Sequence, residues 1–205
     1  MGLFSIFRSR PPIRESHELA EFIDEQSAFL VQKGIHEYSR ARAGHYAKVL
    51  FSEPEFRDAL ERSRWTAYPL GLAMVSELVE GVLRPLAGDA ERSRQLETLR
   101  ALVLSVFDRY PTPATLGEAT WSQMRGDLER RLQPIGLHPV KRAFEIAGPF
   151  AKAYFDLMPI HRKLRASEFP TLHSYLKVTL CNIHDELTKR LDGKAIVDSL
   201  RARDG

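Results

Sequence analysis

Residues 16–50 read SHELAEFIDEQSAFLVQKGIHEYSRARAGHYAKVL and contain no proline. The large apolar residues in the first half of this stretch are Leu19, Phe22, Ile23, Phe29 and Leu30. Their spacing of three, four and seven positions places them on one side of an α-helix. A second apolar strip, formed by Val31, Ile35 and Tyr38, lies roughly opposite the first. Because a helix that is apolar on two sides needs neighbours on both, we expect this helix to be central to the fold.

The same periodicity recurs along the chain, and prolines separate one periodic stretch from the next. No stretch alternates apolar and polar residues between hairpin turns, as a β-strand would. A proline removes a backbone donor and resists helix continuation, so these prolines mark the connections. The sequence therefore predicts an all-α fold, a single-domain irregular helical bundle of about seven helices over residues 15–205 with short proline-marked connections.

Several local signals predict where individual helices begin and end. Ser16 is placed to cap the first helix, because its hydroxyl can accept from free backbone N–H groups. The pairs Ser52 with Glu55 and Thr115 with Glu118 fit the capping-box spacing. We expect Pro69 to interrupt the helix that follows Ser52. We also expect Gly193 to end the last long helix, which spans about residues 169–191.

Residues 1–14, MGLFSIFRSRPPIR, form a predicted N-terminal tail that is both basic and aromatic. This segment has three arginines and no acidic residue, so it accounts for the whole net charge of +3. Apolar residues precede the arginines, which is the reverse of a secretory signal. The tail could insert its aromatic residues at an anionic membrane surface, or it could pack them on the domain. The membrane-contact candidates are Leu3, Phe4, Phe7, Arg8, Arg10 and Arg14.

Composition excludes several classes of protein. No apolar run approaches the ~20 residues that span a bilayer. Cys181 is the only cysteine, which excludes a disulfide framework and a cysteine-based zinc cluster. Outside the tail the chain is electrically neutral, so it lacks the basic excess of most nucleic-acid-binding domains, and we predict no nucleic-acid partner.

The first helix carries polar residues where apolar ones are expected. Gln26, Lys33 and Glu37 lie in the middle of its apolar face, and Arg40 lies at the edge of that face. One interpretation is a polar cavity inside the bundle that binds an anionic or amide-bearing ligand. A second is an internal network in which Glu37 pairs with Lys33 or Arg40. A third is that the helix leaves the core after Leu30.

The last long helix places His173, Lys177 and His184 along one border of its buried stripe. The two histidines are about 16 Å apart along the axis, too far to chelate one metal ion by themselves. The motifs of di-iron and zinc enzymes are absent, so we predict no metal and no cofactor, and catalytic residues remain unknown. Ser174 and Lys177 match Ser-x-x-Lys, but composition alone explains such a match. The ligand-pocket candidates are Gln26, Lys33, Glu37, Arg40, His36, His45, His173, Lys177 and His184.

Three blocks of the sequence carry a resemblance to a known group of proteins. They are FIDEQSAFLVQKGIHEYSRARAGHYAKVLF at 22–51, RWTAYPLGLAMVSELVEG at 64–81 and FPTLHSYLKVTLCNIHDEL at 169–187. Together they resemble a family of uncharacterised bacterial all-helical proteins of about this length, some of which carry an esterase label. The resemblance implies a helical fold and a bacterial cytoplasmic setting, and it implies no particular site residues.

These observations support two function hypotheses. In the first, a non-enzymatic cytoplasmic protein binds a protein partner or the inner face of the membrane through residues 3–14. In the second, the polar pocket binds a small molecule or hydrolyses an ester. A homo-oligomer that covers Trp65, Tyr68 and Trp121 is a further expectation.

Overall fold

The computed structural model describes residues 10–159 and 168–203, and these residues form an all-α domain. Within them the only β-type pairing is an isolated parallel bridge between Ile13 and Leu191. Helix α1 is followed directly by a π-helical segment, Gln32–Glu37. The α-helices are α1 Ser16–Val31, α2 Tyr38–Ala43, α3 Ala47–Leu50, α4 Pro54–Leu83, α5 Arg92–Phe107, α6 Glu118–Leu132, α7 Ala143–Ile146, α8 Gly148–Asp156, α9 Phe169–Arg190 and α10 Gly193–Ala202. The predicted fold class is confirmed.

The centre of the bundle is the second half of α4, whose residues 67–80 are all buried. Helices α1, α5, α6 and α9 all pack against α4. A helix surrounded in this way is apolar on every side, as the run from Ala67 to Val79 nearly is. Gly71 lets α1 approach closely, because a Cβ there would meet the carbonyl oxygen of Ser27 at 3.1 Å. The prediction of a central α1 is therefore corrected: α1 packs on the helix that is central.

The expected break at Pro69 is wrong, because α4 runs without interruption through this residue. Proline removes one backbone hydrogen bond and disturbs the preceding turn. Pro69 and its neighbours are buried among the surrounding helices, and this tertiary packing holds the helix together across the local defect.

The predicted caps are also corrected. Ser16 is the first residue of α1, and the N-cap is Glu15. The Glu18 carboxylate accepts from the backbone N–H groups of Arg14 and Glu15, at 2.7 and 2.9 Å. These two hydrogen bonds lower the pKa of Glu18, because they stabilise its charged form. The Glu18 carboxylate thus holds the two backbone N–H groups that lead into α1.

The other two capping boxes are absent, and the expected C-terminal glycine cap opens a helix instead. The Ser52 hydroxyl donates to the carbonyl oxygen of Val49, and Glu53 caps α4. Helix α6 begins after Gly117 rather than at Thr115. Gly193 is the first residue of α10, whose N-cap Asp192 accepts from the backbone of Ala195.

Residues 10–14 of the predicted tail are attached to the helical domain. Ile13 is fully buried, and its backbone N–H and C=O bond with Arg190 and Asp192 at 2.8 and 2.9 Å. Arg10 pairs with Glu186 at 2.5 Å, and Arg14 pairs with Asp192 at 3.2 Å. The candidates Leu3, Phe4, Phe7 and Arg8 lie outside the described residues. No helix in the described part of the chain is long and apolar enough to cross a membrane.

Candidate functional site

An open cleft of about 1190 Å³ lies beside the segment that follows α1. We call it the 32–51 cleft, after the residues that bound it. Its functional side chains come from the π-helical segment, α2, the turn after α2 and α3, and they are His36, Glu37, Arg40, His45, Lys48 and Phe51. Four of these six, His36, Glu37, Arg40 and His45, are predicted pocket residues. The cleft is the place where most of the predicted pocket residues of α1 and its continuation meet.

Two features of the backbone give the cleft its shape. In the π-helical segment each turn holds more residues than an α-helical turn, so side chains rotate away from the face that α1 defines. Tyr154 supports the start of this segment, because its buried hydroxyl donates to the carbonyl oxygen of Leu30 at 2.8 Å. Gly44 then adopts φ +52°, which favours glycine, and the chain turns from α2 toward α3.

His36 is a partly buried polar group in the cleft. Its ring lies edge-on to Phe51 with 5.1 Å between centroids, and Phe51 in turn packs on Phe56. Burial lowers the pKa of His36, and the positive charges of Arg64 and Arg40 lower it further. The ring is therefore neutral at neutral pH. Its buried Nδ1 atom has no hydrogen-bond partner among the described residues, so the ring has hydrogen-bonding capacity that the described residues do not use.

The charges in the cleft are unevenly paired. Glu37 pairs with Lys33 at 2.6 Å across one helical turn. Arg40 and Lys48 are exposed and form no ion pair within residues 10–159 and 168–203. The cleft therefore contains two cations that lack a carboxylate partner among the described residues, and one carboxylate that Lys33 already neutralises. The arrangement favours an anionic group on any bound molecule.

The predicted cavity inside the bundle is wrong. Lys33 and Glu37 pair as the network interpretation expects, but their side chains keep 38% and 49% of their surface exposed, so the pair lies at the surface and is not internal. Gln26 is buried in α1 and does not line the 32–51 cleft. The extrapolation from α1 assumed 100° per residue, and the π-helical segment breaks that rotation between Val31 and Tyr38.

The predicted residues of the last long helix, α9, do not line the 32–51 cleft. His173 stacks on Phe169 with 5.8 Å between centroids, as a packing residue does, although its buried Nε2 lacks a partner among the described residues. Lys177 is half-buried beside it. His184 lines a different cavity, beside Thr188 and Lys141. The structure therefore separates the nine candidates into distinct places.

A network of two tyrosines on Asp24 was not predicted from the sequence. The hydroxyls of Tyr68 and Tyr110 both donate to the Asp24 carboxylate, at 2.7 and 2.8 Å. Burial, and then the hydrogen bond to Asp24, raise the pKa of Tyr68. The rings of both tyrosines pack edge-on against Trp65, which also contacts Trp121. These aromatic residues are thus covered mainly within the chain, and they give the expected homo-oligomer no support.

Another unpredicted contact joins α2 to Glu168, the residue that precedes α9. The Tyr38 hydroxyl donates to the Glu168 carboxylate, which also pairs with Arg42 at 3.2 Å. Burial and the neighbouring carboxylate raise the pKa of Tyr38, so its hydroxyl stays protonated as a donor. Among the described residues, no three histidine, cysteine, aspartate or glutamate side chains are grouped to hold a metal ion.

The chain was compared with protein families, with curated proteins and with solved structures. None of them matches it.

Proposed function

We propose that the protein binds a small anionic molecule with a flat apolar part in the 32–51 cleft. The observation that carries the proposal is that Arg40 and Lys48, which form no ion pair among the described residues, line one cleft together with the rings of His36 and Phe51. Arginine offers a planar set of donors that matches carboxylate, sulfate or phosphate oxygens. Phe51 and the ring of His36 supply an aromatic wall for the apolar part.

The proposal concerns binding and includes no reaction. In the described structure the lining of the 32–51 cleft contains no serine, threonine or cysteine side chain. An esterase reaction in this cleft would therefore need a water molecule as the nucleophile, activated by His36 or His45. Ester hydrolysis, which the family resemblance suggests, is an alternative. It can be tested by measuring whether the chain hydrolyses ester substrates.

Fluorescence titration with anilinonaphthalene sulfonate tests this proposal, since the probe joins a sulfonate to an aromatic system. Arg40→Gln with Lys48→Gln is expected to weaken binding about tenfold or more, because each charge-assisted hydrogen bond contributes about 1.5–3 kcal/mol. Added salt should weaken binding to the unmodified chain. Binding should strengthen as the pH falls through the lowered pKa of His36, where the ring gains its charge.

The matched control is Arg57→Gln with Lys189→Gln, which removes two exposed cations that do not line the cleft. This control should bind the probe as the unmodified chain does. Phenylnaphthylamine, which lacks the sulfonate, should bind equally to all three proteins. Equal sulfonate affinity in the cleft variant and the control would contradict the proposal.

A second candidate function is contact with an anionic membrane surface through residues 3–14. Arg10 and Arg14 support it, because each keeps 60% of its side-chain surface exposed although it is ion-paired. Exposed pairs are weak enough to exchange a carboxylate for a lipid phosphate. The protein-partner version and the cytoplasmic location at the inner membrane face remain predictions.

Co-sedimentation with vesicles tests the membrane proposal. The full chain should sediment with phosphatidylglycerol vesicles several-fold more than a chain that lacks residues 1–9, and neither should sediment with phosphatidylcholine. The deletion stops at residue 9 because Ile13 is buried, and losing such a side chain typically lowers stability by about 2–5 kcal/mol. Equally weak sedimentation of both chains with the anionic vesicles would exclude the proposal.

A further inference from the structure

A second cavity of about 300 Å³ lies between the C-terminal part of α4, the start of α7 and α9. We call it the α4–α9 cavity, and it shares no lining residue with the 32–51 cleft. Leu78, Val82, Val140 and Ile146 give it mainly apolar walls. Its polar groups are Lys141, His184 and Thr188. A mostly apolar cavity with a few polar groups is the usual form of a small-molecule site.

The charge of Lys141 is already balanced. Its Nζ lies 2.6 Å from Oε1 of Glu77, a buried residue of α4, and His138 Nε2 lies 3.3 Å from the same oxygen. The neighbouring buried acid, Glu80, is neutralised by Arg84. An ammonium group has three donors, so Lys141 can also donate to a ligand oxygen. The carboxylate of a ligand would compete with the buried Glu77 carboxylate for the same ammonium group and would be repelled by its charge.

Thr188 presents the opposite hydrogen-bonding character. Its hydroxyl donates to the backbone carbonyl oxygen of His184 at 2.9 Å and lies 3.1 Å from that of Asp185. The hydroxyl hydrogen is therefore used within α9, and the oxygen lone pairs can accept from a ligand. The cavity thus combines a donor, Lys141, with an acceptor, Thr188, above an apolar floor.

We propose that the α4–α9 cavity binds a neutral aliphatic amide with a short chain. The amide oxygen accepts from Lys141, the amide N–H donates to Thr188, and the chain lies against Leu78, Val82 and Ile146. Local charge balance selects the neutral amide over a carboxylate of the same length. This site is separate from the 32–51 cleft, so a test of amide binding here does not depend on the outcome of the anion-binding tests.

Calorimetric titration with octanamide and with octanoate tests the proposal, because the two probes have the same chain length and differ in charge. Octanamide should bind saturably and at least tenfold more tightly than octanoate. In Gly81→Leu the new side chain enters the cavity, since a Cβ at Gly81 already lies 3.1 Å from Val140 Cγ1. This variant should lose at least tenfold in octanamide affinity.

Gly126→Leu is the matched control, since it changes a glycine of α6 whose Cβ would lie 3.6 Å from Arg130 Nη1 at its nearest contact. Both substitutions replace a helical glycine by a better helix former, and circular dichroism checks their folding. Thr188→Val, at an exposed position of α9, gives a second test that does not fill the cavity. It should weaken octanamide binding several-fold. The proposal would be overturned if octanamide did not bind, or if octanoate bound as tightly as octanamide. It would also be overturned if Gly81→Leu and Thr188→Val left the octanamide affinity unchanged.

Discussion

Replacing Arg84 by methionine is expected to lower the free energy of unfolding by about 3–5 kcal/mol, because it leaves a buried carboxylate without its partner. The Arg84 guanidinium donates twice to Glu80, at 2.7 and 2.6 Å. The two side chains keep only 14% and 6% of their surface exposed. Arg84 also donates to the carbonyl oxygen of His138 at 2.8 Å, so it holds the chain that leads to Lys141. Urea denaturation measures the effect.

Two control variants separate burial from ion pairing as such. Lys152 and Asp156 have the same i,i+4 spacing and a 2.6 Å separation, but their side chains are 76% and 51% exposed. Lys152→Met should therefore change stability by less than about 1 kcal/mol. Arg84→Met combined with Glu80→Met removes both charges and should recover part of the loss. If Arg84→Met and Lys152→Met had equal effects, the Glu80–Arg84 pair would contribute no more than a surface pair.

The fold class could be predicted from the sequence because helical periodicity is a local property. The path of α4 could not, since its continuity through Pro69 depends on the helices around it. N-terminal caps were predicted at serine and threonine, because both are preferred at the N-cap position. In α1 the N-cap is instead Glu15, and its backbone N–H donates to Glu18 three residues later.

The candidate site residues also differ in whether the sequence alone could bring them together. His36, Glu37, Arg40 and His45 are close in sequence, so a helical pattern brought them together correctly, although it placed them inside the bundle. Glu77 and Lys141 are distant in sequence, and only the packing of the segment before α7 on α4 joins them. The sequence does contain one indication of this site. In the stretch 73–83, AMVSELVEGVL, the acids Glu77 and Glu80 interrupt an otherwise apolar run, and buried acids need a partner.

A Gly34→Ala substitution is expected to lower the free energy of unfolding by about 1–3 kcal/mol, the usual effect of overpacking a filled core. At an exposed helical position the same change would stabilise the helix by about 1 kcal/mol. At Gly34 a Cβ would lie 2.5 Å from the hydroxyl oxygen and 3.0 Å from Cε1 of the fully buried Tyr154. Thermal denaturation should show the loss. Gly148→Ala, where a Cβ would meet no atom within 4 Å apart from its chain neighbours and the backbone of its own helix, should show none.

A double-mutant cycle tests the cause of that loss. Tyr154→Phe alone removes the donor to the Leu30 carbonyl oxygen and should lower the free energy of unfolding by about 1–3 kcal/mol. Because the phenylalanine also vacates the place of the hydroxyl, Gly34→Ala should be less destabilising in that background, with a coupling of at least about 0.5 kcal/mol. Strictly additive losses would show that the hydroxyl contact does not limit position 34. Since Gly34 and His36 share the π-helical segment, Gly34→Ala should also weaken anilinonaphthalene sulfonate binding, whereas Gly148→Ala should not.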